Sequence, residues 1–140
     1  MTKITPCLWF NGRAEEAIAF YTGIFKNSKR LTLSHYGKNM PMPEGEVLVA
    51  TFELDGQEFM ILNGGPHYKL SPAFSLMVAC EDQAEVDYFW DKLLEGGKAD
   101  QCAWLTDKFG VSWQIVPKLM FQLMQDPDPT KVARDRKSVV

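Results

Sequence analysis

Val47-Leu48-Val49-Ala50-Thr51-Phe52-Glu53-Leu54-Asp55-Gly56-Gln57-Glu58-Phe59-Met60-Ile61-Leu62 is the stretch on which the fold turns. Two apolar, β-branched runs flank Asp55-Gly56, a dipeptide favoured in two-residue hairpins because both central residues take positive φ. The second run returns further along the chain. A shift of 54 sets Gly56 over Gly110, Phe59 over Trp113, Ile61 over Ile115 and Leu62 over Val116.

Working outward, each hairpin is preceded by a strand and a helix. Residues 4–10 are apolar and end at Asn11-Gly12. Ala14, Ala17, Ile18, Tyr21, Ile24 and Phe25 then recur at spacings of three and four, the stripe of an amphipathic helix. Glu15 and Glu16 stand in its first turn and Lys26 just past its end, as the helix dipole favours. Residues 31–36 read as a third strand and 37–45 as a loop. In the second half, 74–79 read as a strand, and Asp82 with Glu85 three residues on forms a capping box. Ala84, Tyr88, Trp90, Leu93 and Leu94 supply a second helix that Gly96-Gly97 ends. Residues 102–105 and 111–116 form strands around a turn at Asp107-Lys108-Phe109-Gly110, and Pro117 closes the second. A shift of 69 sets Leu8-Trp9-Phe10 over Met77-Val78-Ala79, so the spacing predicts two copies of one module. The tail from Lys118 carries Leu119, Phe121, Leu123 and Met124 and reads as a short helix. Pro127 and Pro129 follow, and a polar end from Ala133 is expected to fray.

The chain has 140 residues and 15.9 kDa, of which 46% are hydrophobic and 24% charged. This length predicts one compact domain, or two very small modules sharing a core, with enough buried surface to need no disulfide or structural metal. We expect a single domain over 1–140, with module one at about 3–63, a connector at 64–73, module two at about 74–117 and a tail at 118–140. Neither module could bury its sheet face alone, so the two would share the task. The net charge of −3 argues against a mainly electrostatic nucleic-acid binder, and Lys26, Lys29 and Arg30 read as a solvated helix end. Cys7, Cys80 and Cys102 lie far apart without metal-ligand spacing, and read as small core hydrophobes rather than nucleophiles. With no apolar run of membrane length and no signal-like N-terminus, the expected location is cytoplasmic, with no membrane and no nucleic acid among the partners.

The run Phe10-Asn11-Gly12-Arg13-Ala14-Glu15-Glu16-Ala17-Ile18-Ala19-Phe20-Tyr21 resembles the opening of the vicinal oxygen chelate superfamily, which holds the glyoxalase, bleomycin-resistance and extradiol-dioxygenase folds. Four stretches resemble its PhnB-like branch, often labelled 3-demethylubiquinone-9 3-methyltransferase-like. They are Asp55-Gly56-Gln57-Glu58-Phe59, Leu62-Asn63-Gly64-Gly65-Pro66, Cys80-Glu81-Asp82-Gln83-Ala84-Glu85-Val86-Asp87, and Asp107-Lys108-Phe109-Gly110-Val111-Ser112-Trp113-Gln114-Ile115-Val116-Pro117. The resemblance spans roughly residues 3 to 130. It implies an α+β fold of paired βαβββ modules, a curved mixed sheet around a cavity, and a homodimer. Family members tend to continue into a longer C-terminal helix, whereas here Arg134-Asp135-Arg136-Lys137 leads to the end of the sequence.

In catalytic members four side chains converge on a divalent metal. The resemblance carries those positions onto Pro6 (or Cys7, for a strand slipped by one), Met60, Ser75 and Gln114. Proline and methionine do not serve a hard cation, so no metal and no cofactor is expected. Alternation then gives a candidate lining of Leu8, Thr51, Glu53, Met60, Leu62, Ser75, Met77 and Gln114, an apolar surface with a few orienting groups that suits a small organic ligand. A filled core with Gln114 satisfied by backbone stands against it. His35, in the third strand region, and His67, in the Gly-Pro connector, read as solvated or locally hydrogen-bonded histidines, with His67 over the cavity mouth as a general acid or base the other reading. No catalytic residue stands out. Nothing resembles a glycine-rich strand-turn-helix for S-adenosylmethionine, so methyl transfer has no residue-level support. Two functions stay open: a binding or sequestering module, and a metal-dependent lyase, isomerase or dioxygenase with a site rearranged around Gln114, Glu53 and His67 or His35. A dimer that binds nothing would point to a third, structural role.

Overall fold

A computed structural model of the chain describes residues 2–125; Pro127, Pro129 and the polar end from Ala133 lie outside them. The chain divides into two compact units, Met1–Leu70 and Ser71–Val140. Each described unit is a mixed four-stranded sheet with a helix between its first and second strands in sequence, an α+β architecture.

The first unit comprises β1 (Cys7–Phe10), α1 (Ala14–Ile24), β2 (Ser28–His35), β3 (Val47–Leu54) and β4 (Gln57–Asn63), with sheet order β1-β4-β3-β2. β1 runs parallel to β4, as a βαβ crossover requires, and the other pairs are antiparallel. Asp55 and Gly56 take φ of 48° and 84° between the paired Leu54 and Gln57, the two-residue turn expected from the dipeptide. α1 buries Ala14, Ala17, Ile18, Tyr21 and Ile24, as its stripe predicts. Its Tyr21 stacks on Phe52 of β3 at 6.1 Å, and Phe52 on Phe59 of β4 at 5.5 Å. Leu8, Phe10, Ala50, Leu54 and Ile61 complete this buried face. β2 begins earlier than expected, at Ser28 rather than 31. It is an edge strand, and Lys29 and Arg30 are the polar side chains that edges carry.

The second unit comprises β5 (Ser75–Cys80), α2 (Gln83–Leu94), β6 (Lys98–Ala99), β7 (Trp104–Thr106), β8 (Ser112–Pro117) and α3 (Lys118–Met124), with sheet order β5-β8-β7-β6. The Asp82 side chain accepts the Glu85 N–H at 2.9 Å and the Glu85 carboxylate accepts the Glu81 N–H at 3.3 Å, which realises the expected cap. Gly97 ends this helix where no side chain fits: a Cβ there would stand 2.3 Å from the Thr106 carbonyl oxygen. Leu93, Leu105, Trp113, Ile115 and Cys80 are buried. No helix among the described residues is long and apolar enough to cross a membrane.

Candidate functional site

Each sheet has one face turned to its helix and one turned away, and register assigns every side chain to one of them. In the first unit Met60 pairs with Thr51 and Cys7, and Leu62 with Val49 and Trp9. Thr51, Glu53, Met60 and Leu62 therefore share the face away from α1. Leu8 does not. It pairs with Ile61 and is buried on the α1 face, at 1% exposure. The correction has a simple cause: Cys7 pairs with Met60 as Met77 pairs with Gln114. The first strands thus superpose at a shift of 70, and a shift of 69 inverts the parity of β1. Cys7 and Trp9 take the place assigned to Leu8, and by the same parity Thr5, not Pro6, matches Ser75.

This face has an aromatic end and a polar end. At the first, the Trp9 indole N–H donates to the Gly65 carbonyl at 2.8 Å, and Tyr68 meets the indole edge-on at 4.9 Å. Gly64 lies so close that a Cβ would stand 2.3 Å from the indole ring. At the second, Thr51 is committed to the fold. Its hydroxyl is hydrogen-bonded to the Thr32 hydroxyl and accepts the Thr32 N–H at 3.2 Å, beside a register shift in β2. Glu53 is half-buried with Lys29 at 3.8 Å, an exposed pair of little energetic weight. Glu58, its cross-strand partner, accepts from the Thr5 hydroxyl at 3.4 Å.

In the second unit Ser75, Met77, Ser112 and Gln114 share the face away from the buried Trp113 and Ile115. The Gln114 amide N–H donates to the Ser75 hydroxyl at 2.9 Å. Gln114 thus bonds through its amide to a side chain rather than to backbone. Met77 is 51% exposed beside this pair, and Trp104, the register partner of Gln114, is half-buried on the same face. Ser112 is buried and its hydroxyl has no hydrogen-bond partner among the described residues. Trp9, Tyr68, Trp104 and Ser112 were not among the expected lining; parity from Gln114 finds Ser112, whereas Tyr68 lies in a connector with no period to read.

The remaining candidates are dispersed. His35 and His67 are both exposed. Burial pushes the Cys80 thiol up to about 11, with the Glu85 and Asp82 carboxylates adding to the effect. Partial desolvation of its sulfur also raises the Cys7 thiol, partly offset by a hydrogen bond from the Leu62 backbone N–H. Cys7 and Cys102 are exposed, which corrects their assignment to the core. The family metal positions, as corrected by register, offer Thr5 or Cys7, Met60, Ser75 and Gln114. The thioether and the thiol are soft donors, and Ser75 already accepts from Gln114. This set does not fit a hard divalent cation. Among the described residues no three His, Cys, Asp or Glu side chains gather as a metal site.

Two strand-helix-hairpin units with matching register define the vicinal oxygen chelate fold, that of glyoxalase, bleomycin-resistance and dioxygenase domains. Residues 2–116 match the model of the 3-demethylubiquinone-9 3-methyltransferase family, and the chain belongs to that family, the PhnB-like branch of the fold. It is similar to a Bacillus cereus PhnB protein named for the same methyltransferase, at 41% identity over 83% of this chain and 99% of that one, with a TM-score of 0.76. A Pseudomonas aeruginosa protein shares the fold at 21% identity, covering 84% of this chain and 98% of that one, with a TM-score of 0.69. So does the Listeria monocytogenes fosfomycin resistance protein FosX, in a complex with Mn(II) and a dihydroxypropylphosphonic acid. It is 14% identical over 83% of this chain and 93% of that one, with a TM-score of 0.58. No protein of curated function matches this chain significantly.

Proposed function

We propose that this chain binds a small organic molecule against its open sheet faces, without the metal that catalytic relatives of the fold use. The observation that carries this reading is the face of the second sheet. A hydrogen-bonded Gln114–Ser75 pair is set among Met77 and Trp104, a few orienting polar groups on an otherwise apolar surface. The open face of the first sheet offers a similar mixture, with Trp9, Met60 and Leu62 beside Glu53. The donor chemistry at the family metal positions supports a metal-free role. Methyl transfer is not part of this proposal, because fold and family name do not by themselves supply a reaction.

The test is binding of the dye 8-anilinonaphthalene-1-sulfonate to the native full chain and to Leu62→Glu and Met77→Glu. The reading expects enhanced dye fluorescence from the native chain and its loss in at least one charged variant, with far-ultraviolet circular dichroism unchanged. An absent signal, or one indifferent to both substitutions, would overturn it.

A further inference from the structure

Across the second sheet, Thr106, Ser112 and Ser75 stand side by side, since Ser112 pairs with Thr106 on one flank and Ser75 on the other. Register puts all three on the face of Gln114, two residues along β8 from Ser112. Ser75 is engaged by Gln114, yet the central hydroxyl of the row is 2% exposed and has no partner. A buried hydroxyl without a hydrogen bond costs free energy that an alanine of nearly the same size would not. Natural sequences tolerate such a cost where a ligand or water completes the bonding.

The donor inventory indicates what completes it. The Ser75 oxygen accepts from Gln114, so its own proton is available, as are the Ser112 proton and the second amide N–H of Gln114. Three uncharged donors on one face suit an acceptor oxygen. Among the described residues the register places one cationic side chain at this row, the exposed Lys98, which pairs with Thr106 at the sheet edge. We infer that Ser112, Ser75 and Gln114 form a neutral hydrogen-bonding seat for one uncharged oxygen, a ketone or amide carbonyl, of an otherwise apolar ligand. This rests on the proposed binding role and narrows the ligand class within it.

The test uses two probes of nearly equal shape, acetophenone and ethylbenzene, titrated into the full chain at millimolar concentration and followed by amide nuclear magnetic resonance. The expected result has three parts. Acetophenone shifts the Ser75, Ser112 and Gln114 signals, including the Gln114 side-chain amide. Ethylbenzene binds about tenfold more weakly, the loss of roughly one neutral hydrogen bond. Ser112→Ala abolishes that preference and melts no lower than the native chain. Equal binding of both probes, unaffected by Ser112→Ala, would remove the oxygen seat and leave the apolar binding role standing. A markedly lower melting temperature for Ser112→Ala would show a structural partner, a bound water, and would also overturn the inference. Failure of both probes to bind would contradict the small-molecule reading of this face, and the seat with it.

Discussion

The Trp113 indole N–H donates to one carboxylate oxygen of Asp107 at 2.8 Å, while the other oxygen accepts the backbone N–H groups of Phe109 and Val111 at 2.9 and 3.0 Å. Asp107 is 3% exposed. One side chain thus closes the β7–β8 turn from inside and anchors the largest ring of the second core. The family-like run from Asp107 to Pro117 owes much of its pattern to this architecture, and Ser112, Gln114 and Val116 are its members on the face away from Trp113 and Ile115.

Asp107→Ala should therefore act on stability. Three donors, two of them buried, lose a charged acceptor, and the expected loss is about 3 kcal/mol or more. Urea unfolding followed by tryptophan fluorescence measures it. A loss under about 1 kcal/mol would show that the turn closes without the carboxylate.

Asn63 plays the corresponding part in the first unit. Its Oδ1 accepts the Gly12 N–H at 2.6 Å and its Nδ2 donates to the Val47 carbonyl at 3.0 Å, tying the turn before α1 to the start of β3. Asn63→Ala should destabilise by about 2 kcal/mol, since both bonds go to backbone groups in a buried setting. Asn63→Asp should also destabilise, because a carboxylate cannot donate to Val47. An Asp variant as stable as the native chain in urea would contradict this geometry.

Gly64→Ala drives a methyl group into the Trp9 indole and should displace the ring from Gly65 and Tyr68. The expected cost is about 1–3 kcal/mol, as for other overpacking substitutions. The near-ultraviolet circular dichroism of tryptophan should change while the far-ultraviolet spectrum does not. An unchanged near-ultraviolet spectrum would mean that Trp9 is not held by the connector.

The cysteines should separate by reactivity. With iodoacetamide at pH 8 the exposed Cys102 should be alkylated in the folded chain, and the buried Cys80, whose thiol is pushed up to about 11, should be protected until unfolding. Because the folded state holds the Cys80 proton more tightly than the unfolded state, its contribution to stability is intact below about pH 9 and is lost as pH rises towards 11. Cys80→Ala should flatten that part of the stability–pH curve. Peptide mapping after alkylation and urea melts across pH 8–11 check both expectations.

Sequence and structure agree wherever one residue dictates a local geometry. Asp55-Gly56 can hardly be read as anything but a tight hairpin, and Asp82 with Glu85 marks a helix start. Parity in β4, β5 and β8 was legible because those strands are long enough to show alternation. It failed in β1, where four residues set in an apolar run offer two phases, and matching Leu-Trp-Phe to Met-Val-Ala chose the wrong one. β6, only Lys98–Ala99, is too short for any pattern. The bonding of Asp107 was hidden for another reason: an Asp four residues before its backbone donor predicts a turn, but the indole bond to Trp113 needs the sheet to exist first.

The central claim is that the chain holds a small organic molecule rather than the metal of its catalytic relatives. Native mass spectrometry of the full chain, purified without an affinity tag or added metal, tests it most directly. The account predicts a protein mass free of stoichiometric divalent ion and carrying an organic adduct. A stoichiometric divalent ion bound to the folded chain would contradict it.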